Sequence, residues 1–319
     1  MVLAQTPAPA TCVLTVQELA GKLVVASPDG RALAEVRIGD RPHEIAMSLD
    51  GGTAYVSQFG ITDYDSRIGM PGDRVAEIDL SQARRGADFV LPAPVRGPHG
   101  VKLRPGTGEL FVNAEGGRYA MFVFDTRTHR LIRDFALPTG THNFIFSPDG
   151  RSLYAFAGAD GVYAIHPDDG RILAHLDTPT PIRGLILTRS GTLLASARGE
   201  LLELRSEDLT ILRRLAAPRP GQFIYAEQWP DGMIVAPSPA DGGVAIFPAD
   251  MGTPKFAPTG KSPILVRRGP DDLIYVSNAE DDHISILDRA GQIVRTIPGL
   301  AGPNGLAFGR CPAPGQALR

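Results

Sequence analysis

Seven times along the chain, a short apolar run is introduced by a residue whose place is fixed while its type varies. In order these residues are His43, His99, His142, Arg183, Ile224, Ile264 and Asn304. The first three are histidines, in a chain that has only seven. Converging imidazoles are what a transition metal needs, at N–metal distances of about 2.0–2.1 Å. Three protein ligands leave a position for water or substrate. A bound Lewis acid polarises a carbonyl or lowers the pKa of that water. His43, His99 and His142 are therefore the candidate ligands of a divalent transition metal. Glu44 follows His43 directly, and Glu115 lies in Val112-Asn113-Ala114-Glu115-Gly116-Gly117. Each is a candidate fourth ligand or general base. Arg183, next in the series, is a candidate to hold an anionic substrate group. Tyr64, Tyr225 and Asn304 are the candidate substrate-binding residues, with Asp63 and Asp65 beside Tyr64 and Glu227 near Tyr225. Two plainer readings stand next to the metal: a metal-free polar pocket, or histidines that only bond neighbouring repeats.

The elements that would place these side chains are repeats. The clearest copy is Thr141-His142-Asn143-Phe144-Ile145-Phe146, then Ser147-Pro148-Asp149-Gly150, then Arg151-Ser152-Leu153-Tyr154-Ala155-Phe156. It reads as strand, tight turn, strand, because Pro-Asp-Gly fixes a sharp reversal between apolar runs. The marker positions 43, 99, 142, 183, 224, 264 and 304 are separated by 56, 43, 41, 41, 40 and 40 residues. A period of about 40–45 residues with several short strands is the mark of a β-propeller blade. Seven markers predict an all-β, seven-bladed propeller. The long interval comes from an insertion over residues 58–73, where other repeats use about five residues. Long loops on compact folds are often functional, and this one is expected at the channel mouth on the same face as the markers.

The ends of the chain complete each other. Residues 12–18, 22–27 and 32–38 read as three strands with no marker strand before them, and residues 305–309 as a marker strand with nothing after it. The last strand is expected to be innermost in the blade whose other three strands are N-terminal, which removes an open sheet edge. Cys12 and Cys311 flank that closure, so a disulfide between them is expected, and with it an oxidising compartment. The propeller is assigned to residues 12–311, with a disordered leader over 1–11 and a tail over 312–319. Residues 3–10 resemble the start of an exported chain just after its cleaved signal, although the charged and apolar parts of such a signal are missing. Periplasmic or secreted placement is the expectation.

Composition narrows the rest. With 319 residues of which 43% are hydrophobic, the chain can bury a large core. The 36 glycines and 28 prolines suit a fold made of turns. A net charge of -3 argues against a nucleic-acid partner, which needs a basic face. No run of about 18 apolar residues is present, so no membrane span is expected. The absence of a glycine-rich phosphate loop argues against a nucleotide cofactor. A small-molecule ligand and a monomer are expected.

The pattern of residues 147–154, with Tyr275-Val276-Ser277-Asn278, Tyr55-Val56-Ser57-Gln58, Ile78-Asp79 and Leu287-Asp288, resembles the bacterial YVTN-type repeat of the YncE-like family. The resemblance covers about residues 12–309. It implies the propeller fold and export, in a family that includes members with no assigned activity. Neighbouring propeller groups include lactonases, virginiamycin-inactivating lyases and quinoprotein dehydrogenase chains. Pro98-His99-Gly100 is similar to segments of the lyase group, whereas the gluconolactonase-type calcium site uses carboxylate and amide ligands and the layer here is rich in histidine. Two functions are carried forward. One is a metal-assisted hydrolase or lyase acting on a small oxygenated, lactone-like substrate. The other is a non-catalytic exported binding or protein-interaction module using the same face.

Overall fold

A computed structural model describes residues 10–62 and 65–313. It shows seven four-stranded antiparallel sheets, and among the described residues the only helical piece is one 3-10 turn, Pro239–Asp241. The innermost strands begin within about three residues of the markers: Pro42–Met47, Arg96–Leu103, Asn143–Phe146, Leu185–Leu187, Glu227–Gln228, Pro263–Arg268 and Pro303–Arg310. We number the blades 1 to 6 from Pro42–Met47 to Pro263–Arg268 and call the seventh the closing blade. Apolar residues of adjacent sheets interdigitate between the blades. Ala46, Tyr55, Phe89 and Val101, for example, join blade 1 to blade 2 in one buried cluster. Trp229, at the turn of blade 5, is fully buried and donates from Nε1 to Asp272 O at 3.3 Å.

Closure is as expected from the two incomplete repeats. The closing blade has the order Ala32–Arg37, Lys22–Ala26, Thr11–Gln17, Pro303–Arg310. Cys12 and Cys311 form a disulfide with a Cα–Cα distance of 5.0 Å. The strand starts at Thr11, so Thr11 already belongs to the sheet, and Cys311 N donates to Ala10 O at 2.9 Å just before it. The rest of the proposed leader, residues 1–9, and the tail from 314 lie outside the described residues, as do Asp63 and Tyr64.

Four of the seven innermost strands share an irregularity that the repeat did not reveal. Between Pro42 and Ile45 in blade 1, and between Pro98 and Val101 in blade 2, the inner strand carries one residue more than its partner. The same holds at Pro263–Leu265 and, in the closing blade, between Pro303 and Leu306. A bulge bends the strand and re-aims the extra side chain. His43, His99, Ile264 and Asn304 all lie in these bulges.

The disulfide spans a sequence separation of 299 residues. The chain-entropy model gives a loop of that size roughly 5 kcal/mol of stabilisation, an upper figure. The Cys12→Ser/Cys311→Ser double variant is expected to fold but to denature at clearly lower urea concentration. The native protein, denatured without reductant, should show no reactive thiol; two titratable thiols would disprove the bond.

Candidate functional site

The three histidines of blades 1, 2 and 3 are neighbours. Ring centroids are 4.3 Å apart for His43 and His99, and 4.0 Å for His99 and His142. All three are buried, with relative exposures of 2%, 0% and 9%. Phe59, the first residue after the second strand of blade 1, packs its ring on His43 at 5.4 Å and on His99 at 4.8 Å. The insertion then forms a small hairpin from Ile61–Thr62 and Asp65–Gly69. Arg41 Nε donates to Thr62 Oγ1 at 2.9 Å, which ties the hairpin to the approach of blade 1. The sequence pointed to Tyr64 on this insertion as a substrate-binding residue, and Tyr64 lies outside the described residues; the described contact comes from Phe59. An aromatic at the root of an insertion beside a histidine marker was the available signal.

Two of the histidines face one carboxylate, and the third has another partner. His142 Nδ1 lies 3.0 Å from Glu115 Oε1, and His99 Nδ1 lies 3.9 Å from the same oxygen. Ligand atoms of His99, Glu115 and His142 all lie within 4.8 Å of one another. Bonds of about 2.0–2.1 Å in a tetrahedral site separate ligand atoms by roughly 3.3–3.4 Å. The two measured distances bracket that value, so Glu115 stands near ligand spacing from both imidazoles, and the trio could hold a metal ion. His43, expected as a third imidazole ligand, is instead engaged elsewhere: Asn304 Nδ2 donates to its Nδ1 at 2.9 Å and to Glu18 Oε2 at 3.2 Å.

One residue further along each inner strand lies a second ring of side chains. Glu44, Asn143 and Tyr225 belong to alternate blades 1, 3 and 5, yet they are linked. Asn143 Nδ2 donates to Glu44 Oε1 at 2.8 Å and lies 3.3 Å from Tyr225 Oη. The link passes over Gly100 of blade 2 and Gly184 of blade 4. A Cβ at Gly100 would collide with Oδ1 of both Asn113 and Asn143, and one at Gly184 with the backbone of Tyr225. Asn113 fixes the floor, because its Oδ1 accepts from Gly100 N at 2.8 Å and its Nδ2 donates to His142 O at 3.1 Å.

The electrostatics of this ring are set by Lys102, whose Nζ donates to Glu44 Oε2 at 2.7 Å. Burial alone would raise the Glu44 carboxyl, but Lys102, His99 and His43 hold it down to about 2. A carboxylate that far down is a weak base near neutral pH. Glu44 is thus suited to accept hydrogen bonds as a fixed anion. Glu227 differs: burial pushes its carboxyl up, against the pull of Arg267. Glu44, Lys102, Asn143, Tyr225 and Arg267, with Phe156 and other apolar side chains, line a cavity of about 210 Å³ in the channel. Arg183 is exposed and is not part of this lining. Of the four remaining histidines, only His175 is exposed; His129, His166 and His283 are half-buried. His129 packs on Phe89 at 4.5 Å and lies 3.1 Å from Glu77, while His283 Nε2 lies 3.2 Å from Thr259 O.

No family model and no curated protein matches this chain. Many solved structures do. The periplasmic gluconolactonase of Pseudomonas aeruginosa is 18% identical, with a TM-score of 0.73 over 95% of this chain and 99% of that one. A functionally unknown protein from Desulfotomaculum acetoxidans is 14% identical, with a TM-score of 0.71 over 95% and 99%. Hydrazine synthase from Kuenenia stuttgartiensis is 17% identical, with a TM-score of 0.64 over 91% and 98%. The likeness is one of fold. It agrees with the seven-bladed ring and assigns no residue of this site.

The lowered Glu44 carboxyl has a consequence for stability. A depressed acid contributes stability that is present above its unfolded value, near 4.5, and is lost as pH falls through about 2. Lys102→Met reverses the balance: burial then dominates, and the carboxylate loses its cation. The variant should lose about 3 kcal/mol at pH 7, the scale for orphaning one member of a buried pair. The loss should be smaller at pH 4, where protonation relieves the charge. Urea denaturation at the two pH values checks this; equal losses would show that Lys102 acts only by packing.

Proposed function

We propose that this protein is a metal-assisted hydrolase or lyase whose substrate is a small oxygenated, lactone-like molecule, with its site at the top of the channel. The observation that carries the reading is the convergence of His99, Glu115 and His142 beside the cavity that Glu44, Asn143 and Tyr225 share. The trio would hold a divalent transition metal through two imidazoles and one carboxylate, a donor set that leaves coordination positions open. When bound, such an ion supplies a Lewis acid for a carbonyl oxygen and a more acidic water.

The chain's own residues supply the rest. Glu44, held charged by Lys102, accepts a hydrogen bond from a ligand hydroxyl. Asn143 and Tyr225 offer further polar contacts on the same side. The apolar walls from Phe144, Phe156 and Leu185 exclude water and favour a compact carbon skeleton. Arg183, exposed near the mouth, serves at most as a rim cation for an anionic group. Export is supported by the disulfide, which persists in oxidising compartments. The resemblance of the repeats to the YVTN type and the gluconolactonase neighbour agree with this reading.

Zinc titration of metal-free protein tests it. One equivalent should bind, and His99→Ala, Glu115→Ala and His142→Ala should each weaken binding by at least tenfold. The zinc-loaded protein, assayed by pH-stat against a panel of small lactones, should release acid from at least one, and Glu115→Ala should abolish it. Failure of zinc, manganese and cobalt alike to bind at stoichiometric level would overturn the metal reading. It would leave Glu115 as the group that orients His142.

A further inference from the structure

His43 is set apart from His99 and His142 by a chain that begins in the closing blade. Glu18, just past the strand Thr11–Gln17, is 3% exposed, and Asn304 is 5% exposed. A carboxylate oxygen can only accept. Asn304 must therefore turn its amide nitrogen, not its oxygen, toward Glu18 Oε2 at 3.2 Å. The second hydrogen of that nitrogen points at His43 Nδ1, 2.9 Å away. Nδ1 then accepts, and in the neutral ring the proton sits on Nε2. Among the described residues no hydrogen-bond partner of Nε2 is present. A histidine that ligates a metal through one nitrogen donates from the other. Here the other nitrogen faces a donor, so ligation by Nε2 would set two N–H groups against each other.

We propose that the Glu18–Asn304–His43 chain fixes His43 as a hydrogen-bond donor through Nε2, excluding it from the metal set and presenting it to an oxygen of the bound ligand. Glu18 and Asn304 are positioning residues: they act through His43 and touch nothing that reacts. The proposal rests on the site described above for the ligand that His43 meets, but the tautomer itself stands independently of any metal. The side of the site that donates is thus built by the two chain ends. The side that would ligate is built by blades 2 and 3. A ligand with a carbonyl or alkoxide oxygen placed between them would meet an N–H on one side and the His99–Glu115–His142 trio on the other.

The test reads the tautomer directly. In protein labelled with 15N-histidine, long-range 1H–15N correlation at a pH where the ring is neutral should show His43 protonated on Nε2. His43→Asn identifies the signals. The paired change Glu18→Gln/Asn304→Asp keeps the net charge and reverses the direction of both hydrogen bonds. The new amide at position 18 donates to the new carboxylate at position 304. That carboxylate also accepts from Nδ1–H, so the His43 proton should move to Nδ1. Zinc affinity provides a second readout. His43→Ala should bind zinc within about twofold of the native protein, while the paired variant, with a free Nε2 lone pair, should bind it more tightly. A native spectrum with the proton on Nδ1, or a loss of zinc affinity in His43→Ala as large as in His142→Ala, would overturn the proposal. If the native protein binds no zinc but shows the Nε2–H tautomer, the metal reading fails and the positioning chain stands. Should the paired variant not fold, the native spectrum alone decides.

Discussion

The antiparallel pairing of Pro303–Arg310 with Thr11–Gln17 is the constraint on which the rest depends. Without it the six complete blades form an arc with two open edges, and equivalent positions of successive blades have no reason to face one centre. With it, seven inner strands surround a channel, and one residue per blade stands at each level. The pairing is reinforced twice. The disulfide locks its outer end, and Glu18 with Asn304 joins its inner end to His43 of blade 1. Closure is therefore part of the site as well as of the fold.

A ring this crowded cannot give every blade a long side chain at the same level. Glycine resolves the crowding at the position after the marker. Gly100, Gly184 and Gly305 each bring the backbone of their blade so near a neighbouring blade that a Cβ would collide. Their blades lie next to those carrying Glu44, Asn143 and Tyr225. The absence of a side chain on blade 2 is what lets Glu44 and Asn143 meet across it. Small residues here create a polar link between groups that a uniform repeat would keep apart.

Much of the architecture was legible in the sequence, because period and turn chemistry repeat. The blade count, the closure, the cysteine pair and the gathering of three histidines all come from the marker spacing. The finer arrangement was not legible, since it rests on contacts between blades and on departures from the repeat. Glu44 and Asn143 are 99 residues apart, and Glu18 and Asn304 are 286 apart. No local pattern announces either pair. The bulges that aim His43 and His99 add one residue without changing the apolar pattern of the strand beyond them. Glu18 gives no signal of its own, because it sits at the end of a strand in the incomplete repeat. Equal positions of the three histidines suggest equal partners, and the closing blade breaks that equality.

The two layers divide the electrostatics of the channel. In the upper layer, a single carboxylate, Glu115, faces two imidazoles, so a cation placed there meets both charge and lone pairs. In the lower layer, Glu44 is matched by Lys102 at 2.7 Å, and Arg267 lies 3.6 Å from Glu227. A matched layer adds little net field at short range, because each charge is cancelled by a neighbour. It offers donors and acceptors to a neutral ligand and gives a cation no unmatched charge to move toward. A ligand rich in oxygen and without formal charge suits such a floor better than a strongly anionic one. That preference comes from the pairing of Glu44 with Lys102, and only then from the histidines above.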